Sequence, residues 1–268
     1  MRFGICTSID NLASAEEAEY DFAELSMGEM LPLTPETAFA PVRQKLRSSS
    51  IPIEACNCFL PATLKVVGPA CDLLAVNAYM EIALHRAADV GASIVVFGSA
   101  GARQAPDGFP PEIARRQFTD AVRLSATHAA PHGITIVIEP LCAAVCNVMN
   151  SELEGAQLVE EIGHPQVRLL ADSYHMHRQH EPFANLYIVA KHLAHIHFDS
   201  VSLPMPEGGY EYDAPAFFGM LARDGYQARL SLEDNSGHLC HIASGLPLVE
   251  AFFHQLAIIK EYWANIDI

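Results

Sequence analysis

Three carboxylates and one imidazole stand where apolar runs end in the second half of the chain. Glu139 follows ITIVI, Asp172 follows VRLLA, His197 follows a run containing Leu193 and Ile196, and Glu233 follows ARLSL. Oxygen donors with one imidazole nitrogen are the set that hard or borderline divalent ions take. The expectation is one divalent metal ion on Glu139, Asp172, His197 and Glu233, with Mn2+ or Mg2+ favoured and Co2+ or Zn2+ also compatible. Taken singly, each residue has a plainer reading. A strand-end Glu is usually solvated, an Asp before Ser is a turn or cap, and a His closing an apolar run is a hydrogen-bonded core residue. Recurrence at four consecutive strand ends carries the metal reading.

Positioning them requires strands that end side by side. The sequence alternates apolar runs with helical patterns. The runs are RFGICTSI from Arg2, YDFAELSM from Tyr20, IPIEACNCF from Ile51, SIVVFGS from Ser93, ITIVIEP from Thr135, VRLLADS from Val167, LAHIHFD from Leu193 and ARLSLED from Ala228. Near-continuous apolar runs fit parallel strands covered by helices. Between about Asp72 and Val90, Leu73, Val76, Tyr79, Met80, Ala83, Leu84 and Ala87 recur at three- and four-residue steps, and Gly91 is a plausible stop. Further helices are expected over about Pro111 to Ala130 and Pro247 to Ala264, with a short first one near Ala13 to Glu19. Eight strand–helix units permit a closed (β/α)8 barrel or an open doubly wound sheet. No GxGxxG follows the first strand, which weakens the open dinucleotide-binding option. No Ser/Gly/Pro linker divides the chain, so residues 1–268 are read as a single barrel domain, close to the ~250 residues such barrels need.

Composition narrows the partners. The chain has 32 acids against 16 bases, a formal charge of −16. That surface repels nucleic-acid phosphates and argues against a DNA-processing enzyme. The longest apolar runs are strand-sized, so no membrane partner is expected. MRFGICTSID lacks the charged-then-apolar pattern of a secretory leader. Seven scattered cysteines without paired CxxC motifs suggest neither a disulfide framework nor a structural zinc site. A reduced, cytoplasmic protein acting on a small molecule is the expectation, and a homo-oligomer stays open.

Four segments resemble the xylose isomerase-like barrels of the sugar phosphate isomerase/epimerase family, which includes ketose 3-epimerases and hydroxypyruvate isomerases. They are GITIVIEPL (Gly133 to Leu141), VRLLADSYHM (Val167 to Met176), HIHFDS (His195 to Ser200) and RLSLED (Arg229 to Asp234), joined by VVFGSAGARQAPDGF (Val95 to Phe109). The resemblance implies a (β/α)8 TIM barrel, the four metal ligands named above, Glu139 and Glu233 as the acid/base pair, and His175 as a substrate contact. Such a site supports proton transfer through an enediolate, with epimerisation or isomerisation set by where the proton returns. Two positions depart from the family. Leu203 or a neighbour stands where relatives carry an Arg after the seventh strand, and Val145 is near the place of a Glu that often follows EPL. Both changes remove polar substrate contacts rather than metal ligands.

His195 and His197 are two apart and share a face, so the deeper one suits support of its neighbour. Asn57, between Cys56 and Cys58 at the third strand end, is a candidate substrate contact. Arg103, in a Gly/Pro-containing loop over the mouth, is another, with a solvated arginine as the plain alternative. His175, His177 and His180 cluster after Asp172, where a second metal is conceivable and one substrate contact plus surface histidines is the plainer reading. The leading function is a metal-dependent isomerase or epimerase of a small sugar or hydroxy-carbonyl compound. Its alternatives are a lyase of the inosose dehydratase type, a non-catalytic sugar-binding barrel, and an endonuclease IV-like hydrolase.

Overall fold

The computed structural model describes residues 1–199, 213–233 and 245–266. Eight parallel strands close into a barrel in chain order. They are β1 (Arg2–Thr7), β2 (Phe22–Ser26), β3 (Ile53–Asn57), β4 (Ile94–Phe97), β5 (Thr135–Ile138), β6 (Val167–Asp172), β7 (Leu193–Asp199) and β8 (Arg229–Glu233). β1 pairs with both β2 and β8, which closes the ring. The helices around them are α1 (Leu12–Glu17), α2 (Glu36–Arg47), α3 (Leu73–Asp89), α4 (Ala100–Arg103), α5 (Pro111–Ala129), α6 (Glu152–Ile162), α7 (Ser173–Arg178), α8 (Ala184–Val189), α9 (Ala214–Arg223) and α10 (Leu248–Ala264). β2 and β3 start two residues later than their apolar runs, at Phe22 and Ile53. Tyr20 and Ile51 are buried but precede the pairing.

Alternation along each strand separates two apolar regions. Phe22, Ala55, Ile94, Val96, Val137 and Leu170 point into the barrel and form its plug. Their sequence neighbours Ala23, Leu25, Val95, Phe97, Ile136 and Ile138 point outward, into the larger layer between sheet and helices. Gly4 serves the plug, because a Cβ there would lie 2.3 Å from the Phe22 ring.

Helix ends follow local chemistry. The Asp72 carboxylate accepts from the Leu74 and Ala75 amides and caps α3. Gly91, beyond its end, has φ of 103°, which glycine adopts without steric cost. Two register shifts set which side chains enter the barrel. Between β6 and β7, Leu169 pairs with Leu193, while Leu170 pairs with His195. Between β2 and β3, Ala23 pairs with Ile53, while Glu24 pairs with Ala55. The first shift skips Ala194 and puts His195 and His197 on the inward parity, level with Leu170 and Asp172. Among the described residues no helix is long and apolar enough to cross a membrane.

Candidate metal centre

Glu139 is the residue directly after β5, Asp172 ends β6, His197 lies within β7 and Glu233 ends β8. Pairing of Asp172 with His197, and of His197 with Ser231, places neighbouring inward side chains at the same level. One donor atom from each of Glu139, Asp172, His197 and Glu233 lies within 4.8 Å of all the others. His197 Nδ1 faces Glu233 Oε2 at 2.8 Å, Glu139 Oε1 at 3.4 Å and Asp172 Oδ2 at 4.0 Å. Glu139, Asp172 and His197 are buried, and Glu233 keeps a partly open side.

The surroundings aim each group. Gly98 leaves space for Glu139, whose Oε2 would lie 1.9 Å from any Cβ at that position. Asp172 Oδ1 accepts from the Tyr174 amide at 2.6 Å and the His175 amide at 3.3 Å, capping α7. Its other oxygen turns toward His197, so one side chain both caps the helix and joins the four-residue donor group. His197 Nε2 bonds Glu24 Oε1 at 2.9 Å, and Nδ1, though buried, has no partner in hydrogen-bond geometry.

Electrostatics fit a cation. Burial, then the charges of Glu233 and Glu139, push the Asp172 carboxyl well above the usual range. Burial also acts to raise Glu139, but the neighbouring His197 outweighs it and holds that carboxyl low. Burial alone would depress His197, yet the charges of Glu24 and Glu233 drive its proton affinity well upward. An orphaned imidazole nitrogen pointed at three crowded carboxylates is an arrangement that a divalent ion relieves. The donor set therefore fits the metal.

The remaining expectations fare differently. His175 is buried, and its Nδ1 accepts from the Cys142 amide at 3.3 Å. Burial lowers its proton affinity, so the ring is held neutral with its proton on Nε2. His177 is half-buried and His180 exposed, and the trio does not gather as a metal-holding group. Asn57 ends β3 on the same rim as the four and is buried. Arg103 requires correction. It is not an open loop residue but fully buried in α4, donating to the Phe97 carbonyl at 3.3 Å and the Glu139 carbonyl at 2.8 Å. Its guanidinium also lies 5.0 Å from the Phe118 ring centre. It fixes the backbone under Glu139, because satisfying two buried carbonyls outweighs solvating one arginine. Leu203 lies outside the described residues, and Val145 is exposed. The six described cysteines are free. Burial raises the Cys6 and Cys56 thiols above their ordinary value.

Sequence reasoning passed over Glu24. It lies inside the barrel below the mouth and touches His195, His197 and Ser231. The available signal was a lone carboxylate in the apolar strand FAELS, two residues from the inward-facing Phe22.

Comparison with known proteins gives a consistent picture. An L-ribulose 3-epimerase from Methylomonas sp. (strain DH-1) is 28% identical over 126 residues, spanning 47% of this chain and 44% of that protein. The aligned part is thus under half of that relative's length. The crystal structure of a D-psicose 3-epimerase from Clostridium cellulolyticum H10, determined with D-tagatose, matches 98% of this chain and 99% of its own, with TM-score 0.81 and 16% identity. The IolI protein with a bound zinc atom matches 100% of this chain and 99% of its own, with TM-score 0.73 and 17% identity. The family model for xylose isomerase-like TIM barrels matches residues 12–261. With that match across a closed eight-stranded barrel, the chain belongs to the xylose isomerase-like TIM-barrel family.

Proposed function

We propose that this protein is a divalent-metal-dependent epimerase or isomerase of a small, uncharged hydroxy-carbonyl compound, a free ketose being the leading class. The observation that carries this reading is the convergence of four donor atoms within 4.8 Å at the barrel mouth. The sugar epimerases among its relatives support the reaction class, and the zinc-bound relative supports a metal.

Glu139, Asp172, His197 through Nδ1, and Glu233 would hold the ion, with Mn2+ or Mg2+ favoured by the three carboxylates. When bound, the ion polarises adjacent carbonyl and hydroxyl oxygens and acidifies the C–H beside the carbonyl. The chain's residues do the proton work. Glu139 and Glu233 come from β5 and β8, three barrel positions apart, so they approach a ligand between them from different sides. One takes the proton through the oxygen turned away from His197, and the other returns a proton. Return to the opposite face of the same carbon gives the epimer, and return to the neighbouring carbon gives the isomer. His175, holding its proton on Nε2, donates to a substrate oxygen. Asn57 is a further substrate contact on the same rim.

An uncharged substrate is supported by the fate of the cations in the described loops after the strands. Lys65 bonds the Gly101 carbonyl at 2.6 Å, Arg103 is spent on two carbonyls, and Arg178 lies 5.9 Å from the Tyr174 ring centre. Residues 200–212 and 234–244 contain no Lys or Arg. A phosphate would meet a carboxylate-rich mouth in which Lys65 and Arg103 are already engaged.

The test is solvent exchange. Metal-stripped protein reloaded with Mn2+ is incubated in D2O with free ketoses, their phosphates, hydroxypyruvate and inososes. The expected result is deuterium at the carbon beside the carbonyl of a free ketose, at least ~10-fold faster than in its phosphate, as loss of about one hydrogen-bonded charge contact implies. Bound Mn2+ with no exchange in any of these compounds would overturn the proposal.

A further inference from the structure

Below the four mouth residues lies a second polar group that the chemistry above does not use. Glu24, in the middle of β2, is wholly enclosed by the barrel, as are His195 and Ser231, and His197 is 1% exposed. Glu24 Oε1 accepts from His197 Nε2 at 2.9 Å. Its Oε2 lies 2.7 Å from both His195 Nε2 and Ser231 Oγ. Cys6, opposite Glu24 in the β1–β2 register, also brings its sulfur close to Glu24 and His197. A carboxylate buried this deeply costs several kcal/mol unless its oxygens are engaged, and here both are. Yet Glu24 is not one of the four mouth groups and contacts them only through His197.

Hydrogen-bond accounting decides what it does. An ionised carboxylate only accepts. Its three neighbours must therefore donate: Ser231 through Oγ–H, His195 and His197 each through Nε2–H. With one His197 proton fixed on Nε2, a cation need displace only the other, and the Nδ1 lone pair then points to where Glu139, Asp172 and Glu233 converge. The other tautomer would set lone pair against lone pair at Glu24 and turn an N–H toward the place a cation needs. Side-chain direction adds to this, since a ring tethered at Nε2 cannot swing about its bond to the strand.

We propose that Glu24 is the positioning residue of the metal centre: it fixes His197 in the Nε2–H tautomer and aims Nδ1 at the three carboxylates, with His195 and Ser231 holding Glu24 in turn. The proposal rests on the metal-centre reading above. It differs from a merely structural role, in which Glu24 satisfies two buried histidines and the ion is indifferent to it.

The two substitutions at Glu24 separate these cases. Glu24→Ala removes the acceptor, so His197 loses both tether and tautomer preference. Glu24→Gln keeps one oxygen, which can still accept from His197 Nε2–H. Its amide group then faces His195, whose Nε2 must become an acceptor. That switch is open because His195 Nδ1 is buried without a partner and can take the proton. Metal-stripped proteins are titrated with Mn2+ by calorimetry, with Tm measured in parallel. In the wild type loaded with Zn2+, long-range 1H–15N spectra report which His197 nitrogen is protonated. The expected results are Mn2+ affinity ~10–100-fold weaker in a folded Glu24→Ala, the scale typical of losing a partner behind a ligand, most of that affinity kept in Glu24→Gln, and His197 protonated on Nε2 with Nδ1 on the ion. Wild-type Mn2+ affinity in folded Glu24→Ala overturns the proposal, as does a wild-type spectrum with Nδ1 protonated. If Glu24→Ala fails to fold, the wild-type spectrum and the Gln variant decide. A wild type that binds neither ion sinks the metal centre and this proposal together, whereas the two results above sink only the role of Glu24.

Discussion

Among single residues, the roles of the acids divide by what their oxygens touch. Glu139 and Glu233 meet His197 from opposite strands of the half-ring, so in the proposed mechanism a proton would travel through their remaining oxygens. Glu139→Gln and Glu233→Gln keep the shape and remove the base. Each is expected to lose proton exchange by ~10²-fold or more, the scale of general acid–base catalysis, with bound metal measured alongside to separate lost ligand from lost base. His175→Ala removes a donor held in its tautomer by the Cys142 amide. Mn2+ affinity should stay close to wild type while kcat/KM falls about 10-fold or more, roughly one hydrogen bond to substrate. Glu152 is a different kind of acid. It opens α6, is 1% exposed, and neither carboxylate oxygen has a hydrogen-bond partner. Burial, then the charges of Glu181, Asp172 and Glu139, raise its proton affinity well above the usual value. The folded chain therefore keeps this proton at pH values where the unfolded chain has lost it. Stability from this group is greatest in acid and falls as pH rises above the ordinary carboxylate pKa toward the raised one. Glu152→Gln removes that slope, so its stability relative to wild type should improve from pH 4 to pH 8 by about 1 kcal/mol or more, within the range for an unsatisfied buried polar group. Urea unfolding at both pH values checks this, and a difference that does not change with pH would contradict it.

At the scale of elements, the site depends on strand ends and on what lies under them. β4 ends in Phe97, and Gly98 follows where the Glu139 carboxylate crosses. Gly98→Ala inserts one methyl into that crossing while leaving all four donor residues unsubstituted. The side chain of Glu139 must move, since Arg103 holds its carbonyl in place. The expected outcome is a Tm within a few degrees of wild type and Mn2+ affinity lowered ~10–100-fold, the effect of a misdirected ligand. Calorimetric titration reads it, and unchanged affinity would show that Glu139 has more freedom than the crossing allows. The register shift between β6 and β7 acts at the same scale. Skipping Ala194 turns both histidines inward as a pair, and Glu24 can then engage them together.

For the whole molecule, the proposed ion site would link binding to folding, because the four donor groups converge only when β5 to β8 lie side by side. An ion that binds the folded chain alone stabilises it by ~2.7 kcal/mol at a hundredfold excess over Kd. For a chain of this size that corresponds to a rise in Tm of roughly 5–10 °C. The rise should appear with Mn2+, reverse with EDTA, and be largely absent in Glu139→Ala. An equal rise in that variant would place the ion elsewhere on a surface whose net charge is −16.

Much of the fold was written locally. Strand positions follow from apolar runs, and α3 was bounded by Asp72 and Gly91 through capping and backbone freedom. The positions of Glu139, Asp172, His197 and Glu233 also follow from the sequence, since each stands where an apolar run ends and consecutive parallel strands bring such ends together. Three matters were decided only by tertiary structure. Arg103 looked like a loop residue because Gly and Pro surround it, but its neighbours in space are the Phe97 and Glu139 carbonyls and the Phe118 ring. A lone carboxylate in FAELS marks Glu24 as unusual but not what it touches, and Glu152 gives no local sign at all, because hydrogen-bond partners more than a hundred residues away, or their absence, are set by barrel closure. The inward turn of His195 and His197 depends on a skipped residue in the pairing, and register belongs to two strands at once, so neither strand's sequence specifies it alone.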